Sequence, residues 1–245
     1  MLTLFRDIHP ENELSVSRGQ LWLALAFPVF TLLSLSIDSV ALPVPYLNDR
    51  QIVNILAVAY FIALFIVSPT RLQRLMVVMV PLSYIGELIF CKLLGMYEYR
   101  GEVIPLYVPF GHAIVYASGY IFAHTRLAKS RQREFRRFFA LGFFFLFLCA
   151  GVFLNDLLTV LSGLLFFVLL RRKRWQNMYF FIAVCVIFIE LGGTYFKCWA
   201  WEPETFGTLP TANPPMGAVF FYAGGDVLLA KIVDLWEKKK LRTTT

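Results

Sequence analysis

The amino-acid sequence predicts an all-α integral membrane protein with about eight transmembrane helices, arranged as two tandem four-helix repeats. Of its 245 residues, 58% are hydrophobic and only 16% are charged. A soluble domain of this size could not bury so much apolar surface. A net charge of +7 would point to nucleic acid in a soluble protein. Here the basic residues fall in short loops between apolar segments, so the expected partner is a lipid bilayer and no nucleic acid.

Eight apolar segments divide the chain, each close to the ~20 residues that a helix needs to cross the hydrocarbon core. They lie at residues 21–40, 51–68, 75–95, 108–124, 138–154, 157–170, 178–198 and 215–235. Only Asn155 and Asp156 separate the fifth segment from the sixth. These two segments therefore form either a tight helical hairpin or a pair of short or tilted spans.

The basic residues predict the orientation of the spans. Arg and Lys lie before the first span and in every second loop, while the alternate loops carry mostly Asp and Glu. Cytoplasmic loops carry the basic excess, so both termini are expected in the cytoplasm, with the spans in the inner (plasma) membrane. Four spans is an even number, so the two repeats, residues 1–130 and 131–245, share one orientation about an axis along the membrane normal.

An internal repeat supports this division. In each half, a glutamate in an apolar helix is followed by an aromatic pair, two prolines and a glycine that opens the next helix. The matched residues are Asp49 and Asp156, Glu87 and Glu190, Pro105 and Pro210, Pro109 and Pro214, Gly111 and Gly217, and Tyr116 and Tyr222. The spacing stays between 103 and 107 positions, which indicates a structural repeat.

Ionisable residues inside the spans are the candidate catalytic groups, because burying a charge in the bilayer costs several kcal/mol. Matched positions favour a function for Glu87 and Glu190 over the alternative of structural, hydrogen-bonded carboxylates. The position that corresponds to Asp226 in the first repeat is Tyr120, so the repeat does not explain this acid. Whether Asp226 is a catalyst or a structural cap remains open. His112 opens the fourth span as a general acid or base, or as an interfacial polar residue.

Two further acids, Asp38 and Asp156, lie near the outer ends of spans and are expected to be hydrated. No metal or cofactor is expected, because the three histidines are scattered and the four cysteines lack CxxC spacing. A disulfide between Cys91 and Cys198 stays open. The glycine pairs Gly192-Gly193 and Gly224-Gly225 are expected to permit close helix approach.

The aromatic pairs Tyr97 with Tyr99 and Trp199 with Trp201 are most simply residues of the membrane interface. Their i,i+2 spacing beside a buried glutamate in both repeats also indicates a shared apolar pocket. Aromatic faces stabilise cations, which matters for chemistry that passes through a carbocation.

These residues resemble a known family, the membrane carotenoid hydratases. The resemblance to the first half of that family lies in Glu87, Gly95-Met96-Tyr97-Glu98-Tyr99, Ile104-Pro105-Leu106 and Pro109, and to the second half in Cys198-Trp199-Ala200-Trp201, Leu209-Pro210, Asn213 and Gly217. Those enzymes add water to terminal double bonds of acyclic carotenoids such as bisanhydrobacterioruberin. The resemblance implies a lyase of the hydratase kind, or an isoprenoid cyclase, that needs no cofactor. The expected substrate-binding residues are the two aromatic pairs, Tyr116, Tyr222 and Asn213.

A buried carboxylic acid fits this chemistry, because a low-dielectric pocket favours its neutral form, which can donate a proton. The alternative function is a membrane transporter or lipid-binding protein with its site at the repeat interface. An accessory subunit of a larger membrane assembly is the third. A cavity that opens sideways to lipid beside Glu87 and Glu190 would favour the enzyme, and a water-filled path narrowest at Asp226 would favour the transporter.

Overall fold

The computed structural model describes residues 16–39, 49–101, 103–174 and 176–243, with side chains as far as residue 239. The helices are α1 (Arg18–Ile37), α2 (Asp49–Val67), α3 (Thr70–Glu87), α4 (Tyr107–Ala123), α5 (Arg126–Ser130), α6 (Gln132–Phe153), α7 (Leu157–Arg172), α8 (Asn177–Tyr195) and α9 (Val219–Thr243). A π-helical segment, Leu88–Leu93, continues α3, and a 3₁₀ turn, Met216–Ala218, precedes α9. Short strands are β1 (Tyr97–Tyr99), β2 (Trp199–Trp201), β3 (Glu204–Thr205) and β4 (Leu209–Pro210).

The helices have the length and composition of membrane spans. Six of those described are long and apolar enough to cross a bilayer: α1, α2, α3 with its π-helical segment, α6, α8, and residues 216–239 of the 3₁₀ turn and α9. Large apolar side chains cover the outer surface, as at Ile66 and Phe153, which are 70% and 79% exposed. The chain is therefore a mainly helical protein whose surface suits a membrane. Each predicted apolar segment overlaps one of its helices.

Polar side chains define two helix starts. Ser17 Oγ accepts a hydrogen bond from the Gln20 amide at 3.2 Å, and Gln20 Oε1 accepts one from the Ser17 amide at 2.8 Å, a capping box that begins α1. At α7, Asp156 Oδ1 accepts from the Thr159 amide at 2.8 Å and Oδ2 from the Thr159 hydroxyl at 2.5 Å. Asp156 is fully buried, so the expectation that it is hydrated is wrong. It caps a helix.

Asp38 is also fully buried, again contrary to expectation. Its Oδ1 lies 2.8 Å from Arg100 Nη2 and 3.4 Å from Arg50 Nε, and its Oδ2 accepts from the Tyr107 hydroxyl at 2.8 Å. Arg50 also donates to the carbonyl oxygen of Arg100. The cluster ties the end of α1 to the first turns of α2 and α4 and to the residue after β1. Its partners are 12 to 69 positions away in sequence, so no local pattern indicates it.

We expect Asp38→Asn to lower the free energy of unfolding by about 2 kcal/mol, since the substitution leaves two arginines beside a neutral amide. The arginines are a quarter to a third exposed, so hydration moderates the loss. The measurement is the melting temperature of the purified protein in detergent. The control is Glu134→Gln, which removes an exposed ion pair 3.9 Å long and should change little. Equal melting temperatures for Asp38→Asn and the wild type would contradict the prediction.

Helix α4 lies at the centre of the bundle, packed against α1, α2, α3 and α8. A Cβ at Gly119 would lie 2.6 Å from the Ile182 Cα of α8, so this glycine lets the two helices touch. At the opposite end of α3 from Glu87, Arg71 binds Asp234 and Glu237 at 2.7 Å each and so ties α3 to α9.

One expectation about packing is wrong, and one open question is settled. A Cβ at Gly224 or Gly225 would meet nothing within 4 Å, so this pair does not serve close helix approach. Both glycines border a cavity instead. The cysteines Cys91 and Cys198 are buried and free, so the disulfide left open by the sequence is not formed.

Candidate functional site

The two aromatic pairs meet in a short antiparallel ladder. Tyr97 lies opposite Trp201 and Tyr99 opposite Trp199, with Glu98 opposite Ala200 between them. Side chains alternate along a strand, so both aromatic residues of each strand point to one face while Glu98 points away and is exposed. Both aromatic pairs fall between the predicted apolar segments, where the sequence predicts loops. Three residues are too few to show alternation, and the partner strand is about a hundred residues away.

Glu87 ends α3, immediately before the π-helical segment, and is only 4% exposed. The hydroxyls of Tyr97 and Tyr99 both donate to its Oε2 at 2.8 Å. His112, one turn into α4, places Nε2 3.0 Å from Oε1. Burial, reinforced by the neighbouring Glu87, raises the pKa of both tyrosines well above 10. Both hydroxyls therefore keep their protons and act as donors.

Glu190 has a matching environment near the end of α8, where it is 5% exposed. The indole Nε1 groups of Trp199 and Trp201 donate to its Oε2 at 3.0 and 3.1 Å. The hydroxyl of Tyr222, from α9, donates to Oε1 at 3.0 Å. Each glutamate is thus held by two aromatic donors on one oxygen and a third group on the other.

Ring contacts join the two glutamates. The Tyr97 and Trp201 ring centroids are 4.7 Å apart, and the His112 imidazole stacks on Tyr222 at 4.8 Å with 13° between the planes. The result is a closed circuit of two carboxyl groups and six rings, which we call the acid cage. Its members are Glu87, Tyr97, Tyr99, His112, Glu190, Trp199, Trp201 and Tyr222.

The two oxygens of each glutamate carboxyl group have different hydrogen-bond partners. An indole N–H can only donate, so the two indoles occupy Oε2 of Glu190, while Oε1 of this carboxyl group accepts from the Tyr222 hydroxyl. The two tyrosine hydroxyls likewise occupy Oε2 of Glu87 and leave Oε1 facing His112. The Oε1 atoms of both carboxyl groups therefore lie at the stacked pair of His112 and Tyr222.

The acid cage borders a cavity of about 470 Å³, within the size range of small-molecule sites. The remaining walls are mostly apolar and aromatic; they include Phe27, Phe30, Met79, Phe90, Ile114 and Phe221. Four buried polar residues outside the acid cage also line it: Thr31, Ser34, Ser83 and Asp226. Asp226 Oδ2 and Ser34 Oγ have no hydrogen-bond partner in the described part of the chain. The cavity therefore has a mostly apolar lining that includes a few carboxyl groups.

The cavity extends to the outer surface of the helical bundle. Three lining residues are exposed on the outside of the bundle: Ile85 by 53%, Ile89 by 40% and Leu228 by 47%. They belong to α3, its π-helical segment and α9. Gly86, Gly224 and Gly225 lie on the same two elements and leave open space where side chains would otherwise stand. From these exposed lining residues we infer that the cavity opens sideways, between α3 and α9.

Nine of the eleven predicted site residues line this cavity; the exceptions are Tyr116 and Asn213. Tyr116 is buried one turn beyond His112 and stacks on Tyr120. Asn213 Oδ1 accepts from the Trp201 amide at 3.1 Å and so fixes β2. The repeat pairs Tyr116 with Tyr222, but the structure puts His112 in the corresponding place on Glu87.

Sequence reasoning missed several lining residues. Ser34 was detectable as a polar residue inside an apolar span. Phe27, Phe30 and Phe221 were not, because a lipid-facing phenylalanine has the same local pattern. No three His, Cys, Asp or Glu residues in the described part of the chain lie close enough together to hold a metal ion. Comparisons with protein-family models, curated proteins and solved structures found no match to this chain.

Proposed function

We propose that this protein is an integral-membrane enzyme that acts on a carotenoid, another isoprenoid or a comparable long lipid by acid–base chemistry. The observation that carries the proposal is the acid cage, two hydrogen-bonded carboxyl groups on the wall of an apolar cavity that opens sideways between α3 and α9. A substrate dissolved in the bilayer can reach such a cavity without crossing water. A water-soluble substrate would have to pass the apolar opening.

The proposed reaction begins with the proton shared by Glu87 and His112. A terminal double bond of the substrate takes this proton, its π electrons form the new C–H bond, and a tertiary carbocation results. Water then adds to the cation and returns a proton to the Glu87–His112 pair, so that the net change is the addition of one water molecule. If an internal double bond attacks instead and the cation loses a proton, the product is a cyclic isomer.

The remaining members of the acid cage stabilise the cation. The faces of Tyr97, Trp199 and Trp201 offer negative electrostatic potential, worth about 2 kcal/mol for a desolvated cation. Glu190 adds a carboxyl group whose orientation is fixed by two indole donors. No cofactor or metal enters this reaction scheme.

The test is product formation in cells that make an acyclic carotenoid such as lycopene. With the wild-type chain present, we expect a product heavier by one water molecule, or an isomer of the substrate, in the organic extract. A vector without the gene is the control. An unchanged extract from a panel of acyclic and cyclic isoprenoids would overturn the proposal.

A transporter or lipid-binding protein is the second candidate, favoured by one observation. Asp226 is buried in the cavity wall without a hydrogen-bond partner for Oδ2, and carriers also place acids at the interface of two repeats. Transfer of an isoprenoid between vesicles by the reconstituted protein, without chemical change, would support this candidate. The sideways opening and the acid cage favour the enzyme.

We further propose that eight helices span the inner (plasma) membrane as two repeats of one orientation, with both termini in the cytoplasm. Helices α4 and α7 have 17 and 16 residues, about 26 and 24 Å at 1.5 Å per residue, so each nearly crosses the hydrocarbon core. The antiparallel ladder centred on Glu98 and Ala200, with a glutamate held by each strand, supports a twofold relation between residues 1–130 and 131–245.

This topology predicts that the region between α4 and α6 is cytoplasmic. A cysteine introduced at Lys129, in a chain lacking its four native cysteines, should react with a membrane-impermeant maleimide only after the cells are opened. A cysteine at Glu98, exposed on β1, is the matched site and should react in intact cells. Labelling of position 129 in intact cells would rule out the proposed orientation.

A further inference from the structure

One acid in the cavity wall lies outside the acid cage. Asp226 is 2% exposed, lines the cavity, and has no hydrogen-bond partner for Oδ2 in the described part of the chain. It follows Tyr222 by four positions on α9, so the two side chains lie on one face of the helix, roughly 6 Å apart between Cβ atoms. Asp226 is therefore a polar residue of the cavity wall outside the acid cage, one helical turn beyond Tyr222 along α9.

An unpaired carboxylate would be too costly in such a place, so the ligand-free carboxyl group is expected to be neutral. A neutral carboxyl group has one O–H donor and keeps acceptor capacity. Both needs are met by a hydroxyl group, which accepts one hydrogen bond and donates another. An ammonium group would instead require the acid to ionise in an apolar wall.

We propose that Asp226 binds the hydroxyl group of an isoprenoid alcohol whose double bond lies at the acid cage. This inference rests on the proposed function, since it names the substrate class of the same cavity. It separates two roles: the Glu87–His112 pair moves a proton, while Asp226 holds the polar end of the ligand. Asp226 is then a binding residue rather than a catalyst.

The test compares two probes, geranylgeraniol and the hydrocarbon in which a methyl group replaces its CH₂OH group. Their affinities for the full-length protein in nanodiscs are measured by competition with tritiated geranylgeraniol. We expect the wild type to prefer the alcohol at least tenfold, since a polar group left unpaired in an apolar site weakens binding by about that factor or more. Asp226→Leu should abolish the preference and still bind the hydrocarbon, whereas Asp226→Asn, which can also donate and accept, should retain most of it.

Ser34→Ala is the matched control, because Ser34 Oγ is the other buried, unpartnered oxygen of the cavity wall. It should leave the preference unchanged. Equal binding of the two probes by the wild type, or a preference that survives in Asp226→Leu, would overturn the subsite and leave the proposed function standing. Binding of neither probe would overturn both the subsite and the isoprenoid class of substrate.

Discussion

Glu87→Gln should accumulate in the membrane like the wild type and lose turnover by about 10² to 10⁴, the usual contribution of a general acid. Glutamine keeps the size of the side chain, and its amide oxygen can still accept from Tyr97 and Tyr99. What it lacks is the carboxyl oxygen that lies 3.0 Å from His112 Nε2 and that transfers the proton in the proposed reaction. The measurement is product formed per unit of membrane-inserted protein in cells that supply the isoprenoid.

Two further substitutions are compared with Glu87→Gln in the same assay. Glu98→Gln is the control, because Glu98 lies on the same β1 strand with its side chain exposed on the other face, and it should keep normal turnover. Glu190→Gln should lose less than Glu87→Gln, since Glu190 has no imidazole partner to relay a proton. Near wild-type turnover in both Glu87→Gln and Glu190→Gln would mean that these acids are architectural, and acid catalysis would have to be abandoned.

Much of the helical arrangement was predictable, because a membrane span has a strong local signal. Twenty apolar residues in a row have few alternative structures in a bilayer. The fates of Asp38 and Asp156 were not predictable in this way. Both look like hydrated acids at the ends of spans. Asp38 is buried because partners from other elements, such as the Tyr107 hydroxyl, satisfy it, whereas Asp156 is buried as the cap of its own helix, bonded to Thr159.

The candidate site was predictable where two copies of one pattern could be compared. A single buried glutamate near two aromatics is weak evidence, but its recurrence in Glu190 with Trp199 and Trp201 indicated a shared pocket. The exception is instructive. Strict repeat symmetry assigns Tyr116 to the site, whereas the structure uses His112, one helical turn earlier. The repeated pattern predicts the two glutamates and their aromatic partners. It does not predict that a histidine replaces a tyrosine beside Glu87.

Glycine pairs illustrate the same limit. Gly192-Gly193 and Gly224-Gly225 look alike in sequence, and both pairs suit close helix packing. In the structure, a Cβ at Gly193 would lie 2.0 Å from Cη2 and Cζ2 of Trp199. Gly224 and Gly225 instead leave open space at the cavity. A local pattern shows that a side chain is missing, but only the fold shows what occupies its place.

Gly193→Ala should therefore disable the site from outside the cavity. The added methyl group cannot coexist with the Trp199 indole, so the ring must leave the surface of α8. Its hydrogen bond of 3.0 Å to Glu190 is lost, and so is its contact with Tyr99 across the ladder, at 6.0 Å between ring centroids. Removing one such preorganised donor typically costs about 10² to 10³ in rate. We expect a loss of turnover of that size, measured with the same cellular assay.

Gly192→Ala is the matched control, because its Cβ would meet only the ends of two flexible leucine side chains, Leu35 Cδ1 at 3.1 Å and Leu32 Cδ2 at 3.9 Å. It should retain turnover within a few-fold of the wild type. Trp199→Phe separates the two effects of Gly193→Ala, since it removes the N–H donor without forcing a ring out of place. If the position of the indole matters, Trp199→Phe should lose no more turnover than Gly193→Ala. A Gly193→Ala variant with full turnover would show that Trp199 does not orient Glu190 for the reaction.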